Sequence, residues 1–126
     1  MFAIRILPSS QRGPDGERLG EIRIGTFAER FACSGVEPAE ELEAKWRSQL
    51  RLLLQGESKV ALVHDPRFAW IVYRIGNDCH VQQHLYVEGT FESLPNRCTV
   101  NEDGERISEW KTNTAEIEQF LGVCQS

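Results

Sequence analysis

Surplus positive charge is missing: 14 Lys and Arg stand against 19 Asp and Glu, a net charge of −5. Phosphate backbones and anionic lipid surfaces are bound mainly through excess Lys and Arg, so this balance argues against a general nucleic-acid or membrane binder. Long apolar runs are missing as well, and none approaches a membrane span. Met1 leads straight into strand-like sequence with no basic and apolar leader, so no export signal and a cytoplasmic location are expected. Cys33, Cys79, Cys98 and Cys124 are isolated, with no C-x-x-C zinc or redox spacing, and are expected as reduced thiols. There is no Gly-rich phosphate loop; Gly13, Gly16 and Gly20 mark a polar loop without strand–loop–helix context. Gly56-Glu57-Ser58 lacks the second Gly of a nucleophile elbow, and Asp103-Gly104-Glu105 is too short for a calcium loop.

What is present fits one globular domain over residues 1–126, with 40% hydrophobic and 26% charged residues. Phe2, Ile4 and Ile6 alternate as in a half-buried strand. A second strand carries Ile22 and Ile24, then Phe27 and Phe31 on the opposite parity; a β-bulge at Gly25-Thr26 would return all four to one face. Pro38 to Gln55 predicts the long helix. Its apolar stripe is Ala39, Leu42, Trp46, Gln49/Leu50 and Leu53, with acidic residues early, basic residues later and Gly56 as the stop.

Lys59–His64 and Phe68–Ile75 are apolar on both parities, as in central strands, with Asp65-Pro66 between them. Gly76-Asn77-Asp78 is a tight turn into Cys79–Tyr86, which would pair Tyr73 with His80 and Ile71 with Gln82. Phe91 to Pro95 reads as an irregular connection. Arg97–Val100 and Arg106–Trp110 read as a second hairpin around a carboxylate-rich tip, Asn101-Glu102-Asp103-Gly104. Asn113 fits the N-cap of a short helix with Glu116 reaching back, and Ile117, Phe120 and Leu121 form its apolar face. The order β-β-α-β-β-β-β-β-α predicts an α+β fold: a mostly antiparallel sheet of about six to seven strands packed on one long helix, with a short C-terminal helix.

His80-x-x-x-His84 has the most metal-like spacing. On a strand the two rings share a face but sit about 13 Å apart at roughly 3.3 Å per residue, too far for one metal. Cys79 beside His80 suggests a thiolate pair, but neighbouring strand residues point to opposite faces. No metal, cofactor or catalytic residue is therefore assigned. The face bearing Tyr73, His80, Gln82, His84 and Tyr86 is mixed polar and aromatic and unsuited to pack against the helix. It is either solvent-exposed sheet or a protein-binding surface. Residues 87–126 carry three basic and eight acidic groups, a net −5 equal to that of the whole chain. The Glu102–Glu109 hairpin is either a solvated surface or a docking surface for a basic partner. Trp110 beside it is either an anchor or a core residue.

The middle of the chain combines Trp46, Leu50 and Leu53-Leu54 with Gly56-Glu57-Ser58-Lys59-Val60-Ala61-Leu62. Ala69-Trp70, Tyr73-Arg74 and Val81-Gln82-Gln83 follow. This pattern, over roughly residues 46–86, resembles small immunity proteins of bacterial contact-dependent growth inhibition systems. The resemblance implies a non-enzymatic antitoxin that binds a cognate toxin domain. Many such toxins are nucleases with basic clefts, to which an acidic inhibitor is steered. The expected docking residues are Glu102, Asp103, Glu105, Glu109 and Trp110, with the Tyr73, His80 and His84 face second. The expected assembly is a monomer or homodimer. The alternatives are a small enzyme or metal-binding protein using His80, His84 or Cys79, and a non-catalytic adaptor subunit.

Overall fold

A computed structural model describes residues 1–33, 37–65, 68–85 and 94–122. Pro66, Tyr86, Phe91 and Cys124, which entered the sequence reading, lie outside the described residues.

The chain opens with three antiparallel strands, β1 (Phe2–Ile6), β2 (Leu19–Ile24) and β3 (Phe27–Ala32), in the order β1-β2-β3. Gly25 and Thr26 do not form a bulge in one strand. They form the turn between two strands, with Ile24 paired to Phe27 and Gly25 at φ +61°. Only glycine adopts that conformation without a Cβ penalty. Reversing the chain there keeps Ile22, Ile24, Phe27 and Phe31 on one face, as a bulge would have done. Gly20, expected in a loop, is instead part of β2 and lies directly under the Phe31 ring.

Helix α1 (Ala39–Leu54) follows, entered from Pro38 and ended at Gln55. Its stripe Leu42, Trp46, Leu50 and Leu53 is buried. The Trp46 indole N–H donates to the Val63 carbonyl at 2.8 Å. Arg74 donates to the Leu53 and Leu54 carbonyls at 2.9 and 3.1 Å, satisfying backbone acceptors that a helix end leaves open.

A second antiparallel sheet has the order β4 (Lys59–Asp65), β5 (Phe68–Ile75), β6 (Asp78–Leu85), β7 (Trp110–Asn113). The β5–β6 register pairs Tyr73 with His80, Ile71 with Gln82, Val72 with Val81 and Trp70 with Gln83, as the turn chemistry predicts. Helix α2 (Thr114–Leu121) is capped by the Asn113 side chain, which accepts from the Glu116 N–H at 2.9 Å. Strands over 97–100 and 106–109 do not form; a single bridge, Val100 to Arg106, closes the acidic turn.

The expectation of one sheet of six to seven strands on one helix needs correcting. The architecture is α+β, but three strands and four strands form separate sheets. The residues between β3 and β4 include all of α1, and the two strands are not paired. Each sheet instead turns one face into a shared hydrophobic cluster with both helices. Rings bridge it: Phe31 lies 5.8 Å from Trp70 and 6.0 Å from Trp46, and Phe27 stacks on Trp110 at 4.1 Å.

Candidate functional site

The polar face of the four-stranded sheet is partly covered from within the chain, with Tyr73 and Gln82 buried and His80 and His84 half-buried. Residues 94–109 of the same chain lie across it as a strap. Lys59 donates to the Leu94 carbonyl and the Asn96 side chain, both at 3.0 Å, and the Tyr73 hydroxyl donates to the Pro95 carbonyl at 3.0 Å. Gln82, with no exposed surface, is the centre of the arrangement. Its amide nitrogen donates to the Cys98 carbonyl at 2.9 Å and to Glu109 Oε2 at 2.7 Å. Its oxygen is left to accept, so the contact at 2.9 Å to His84 Nε2 requires that ring nitrogen to carry the proton. Glu109 is gripped by Arg97 through two bonds of 2.8 and 2.6 Å, and His80 Nδ1 approaches it at 3.3 Å. The paired guanidinium holds the Glu109 carboxyl below the usual carboxylate range. Burial pushes the Tyr73 hydroxyl up to about 12 and moves His84 below the usual imidazole value.

The strap ends in the acidic turn. Asn101 Oδ1 accepts from the Asp103 and Glu105 N–H groups, both at 2.9 Å, and Gly104 sits at φ +80°. Local side-chain bonds of this kind hold a turn's shape without help from the core. Glu102, Asp103 and Glu105 all project into solvent.

Of the eight expected docking residues, then, three stand free on one turn. Trp110 is half-buried, with its ring against Phe27 and packed on the hydrophobic cluster. Tyr73 is 4% exposed. Glu109 of the strap is paired with Arg97 and lies beside His80 of β6, and His84 bonds to Gln82 on β6. Arg97 is the residue that sequence reasoning missed, because nothing in the spacing of residues 97 and 109 marks them as partners.

The chemistry of the thiols is equally plain. Cys79 points into the core while His80 lies on the strapped face, so no dyad forms. Burial pushes the Cys79 thiol up to about 11 and the Cys33 thiol up to about 12, leaving both protonated near neutrality and poorly nucleophilic. Among the described residues no three His, Cys, Asp or Glu side chains come together as a metal site. A groove of about 560 Å³ between α1 and β4 is lined by Leu42, Trp46, Ala61, Val63 and Leu94, and it contains none of the expected site residues.

Two antiparallel sheets sharing one core with two helices place the chain in an α+β class with a solved precedent. The fold is similar to that of a chain in the structure titled "CdiA-CT/CdiI toxin and immunity complex from Enterobacter cloacae", with a TM-score of 0.78 and 20% identity over 99% of each chain. No curated protein matches the chain. The family described as "CdiI N-terminal domain" matches residues 38–120, more than half of the sequence. The chain belongs to this family, the immunity proteins of contact-dependent growth inhibition. The residues that carried the resemblance, 46–86, fall inside the match.

Proposed function

We propose that this chain binds a cognate toxin domain one to one and neutralises it by direct contact, working in the cytoplasm as a monomer or homodimer. Family membership supports the role, and the solved neighbour comes from a complex of a toxin with its immunity protein. The single structural observation that carries the docking assignment is the acidic turn. Three carboxylates, Glu102, Asp103 and Glu105, are exposed on a backbone pinned by Asn101 and tied to the sheet through the bond from Gln82 to Glu109. Fixed charge costs little ordering on binding and speeds encounter with a surface of opposite sign. The toxin surface it fits is basic, as in a nuclease cleft, and the interface is of about 1,600 Å² in total.

The test has two stages. Co-expression asks whether this chain rescues cells from a cognate toxin domain. Association kinetics then compare the chain with Glu102→Lys/Asp103→Lys/Glu105→Lys. Slower association of the variant with weaker salt dependence is expected; unchanged kinetics would remove the turn from the interface.

A further inference from the structure

The outer face of the three-stranded sheet has a charge pattern opposite to that of the chain. β-register places Arg5 and Arg30 on either side of Glu21, and Arg23 lies two residues along the same strand and face. Glu21 is buried, 7% exposed, while the side chains of Arg5, Arg23 and Arg30 are 57%, 50% and 56% exposed. Glu21 Oε1 accepts from Arg23 Nε at 2.9 Å and Arg5 Nη2 at 3.3 Å, and Oε2 lies 3.9 Å from Arg30 Nε. Arg30 is steadied further by Gln11 Oε1 at 3.3 Å. Arg23 and Arg5 hold the Glu21 carboxyl below the usual carboxylate range, so it stays charged.

One carboxylate balances one of three guanidiniums. The remaining positive charge faces solvent, and each Arg retains N–H groups that these contacts do not use. The neighbours on this face are Ala3, Ala28, Ala32 and the half-buried Leu19, and the three alanines leave the arginines room to reach solvent. The arginines are laid out in fixed positions before any partner arrives, which lowers the ordering cost of binding.

We infer that this arginine face is a second docking surface of the protein and that its occupant is a carboxylate-bearing surface of the cognate toxin domain. The inference rests on the proposed function. Charge complementarity decides the occupant. Guanidinium forks match carboxylates two bonds at a time, and a chain of net −5 is repelled by the extended charge of a nucleic acid. Arginine is also among the residues enriched at interface cores and hot spots.

The experiment uses the purified toxin domain as probe and measures affinity and rate constants at low and high salt. Three variants are compared with the wild-type chain. Arg5→Gln/Arg30→Gln removes two forks and leaves the 2.9 Å Arg23–Glu21 bond, so the buried carboxylate keeps a partner. Arg5→Lys/Arg30→Lys keeps the charge and loses the fork. Arg51→Gln/Lys111→Gln removes two exposed charges elsewhere. Thermal unfolding checks that each is folded. The face predicts a ten- to hundredfold loss of affinity for the Gln pair, faster dissociation with near-normal association for the Lys pair, and little change for the control pair. If the wild-type chain binds and the Gln pair binds no worse than the control, the arginine face is not an interface, and the proposed function stands. If the wild-type chain does not bind the toxin domain, the proposed function falls and takes this inference with it. Arginine-dependent binding to a random-sequence RNA or DNA duplex, tighter than to the toxin, would also overturn it in favour of a phosphate partner.

Discussion

Gln82→Leu removes the strap's central anchor on β6 and should cost about 1–4 kcal/mol of stability. The magnitude follows from the three bonds of a side chain with no exposed surface. The bond to the Glu109 carboxylate is of the charged kind, about 1.5–3 kcal/mol, and those to the Cys98 carbonyl and the His84 ring are about 0.5–1.5 kcal/mol each. Leucine fills nearly the same volume and returns about 1–2 kcal/mol through apolar burial. Urea unfolding read by tryptophan fluorescence gives the global value. Hydrogen exchange over residues 94–109 reports the strap itself, because loss of its central anchor should raise local opening before the sheet unfolds. A double-mutant cycle with Glu109→Gln should show coupling above about 0.5 kcal/mol, since the two side chains are in direct contact. A loss below about 0.5 kcal/mol together with unchanged exchange would refute the argument that Gln82 fastens the strap.

Further outcomes follow from other positions. Gly25→Ala should cost about 1 kcal/mol through its positive φ alone, because nothing lies within 4 Å of the added Cβ; Gly20→Ala should cost about 1–3 kcal/mol or more, because its Cβ would sit 2.5 Å from the buried Phe31 ring. Chemical denaturation of the two variants tests the contrast. His64 is buried, pairs with the Ala32 carbonyl at 2.9 Å, and is held below the usual imidazole value mainly by burial. A histidine with a lowered folded pKa takes up its proton more readily when unfolded, so stability is full above about pH 6.5 and falls as pH drops below it. The slope of stability between pH 5 and 7 should shrink in His64→Asn. Glu21, Glu109 and Glu116 carry lowered values in the fold, so their contribution is present above the ordinary carboxylate value and is lost in a separate step as pH falls through the folded ones. Trp46→Phe should cost about 1.5–3 kcal/mol, from the lost bond to the Val63 carbonyl and the space left by the smaller ring.

Helix α1 and the β5–β6 hairpin were legible because each rests on local signals. One has a stripe at helical spacing; the other has a tight turn between apolar runs, and a turn of known length fixes the register. Gly25 was ambiguous in principle. A bulge and a two-residue turn both restore the parity of Ile22 and Phe31, and both favour glycine, so only the pairing of β2 with β3, Ile24 opposite Phe27, decides between them. The division into two sheets was hidden for a similar reason, since strand count and connection length do not say which edges hydrogen-bond. The strap was illegible because its partners lie far apart in sequence: 16 residues from Gln82 to Cys98 and 27 from Gln82 to Glu109. No short-range periodicity reports such pairs. The same holds for Arg5, Glu21 and Arg30, which only the register of three strands brings together.

The overall acidity of the chain conceals an arrangement of signs, and that arrangement makes the two docking surfaces separable by experiment. Within the acidic last third, Glu109 is neutralised by Arg97, and Glu116 accepts from Thr112 and the N-terminal amine. Among the described residues, the turn carrying Glu102, Asp103 and Glu105 sets three exposed carboxylates side by side. The positive surplus lies on the outer face of the three-stranded sheet. If attraction between an acidic protein and a basic toxin were the whole of recognition, removing two arginines would take the net charge from −5 to −7 and speed association. If the arginine face docks, the same change weakens binding. Net charge and local contact thus predict opposite signs for Arg5→Gln/Arg30→Gln, whereas they predict the same sign for charge reversal at the acidic turn. The arginine variant is therefore the sharper measurement, because a tighter complex and a weaker one each eliminate one account of how this surface is read.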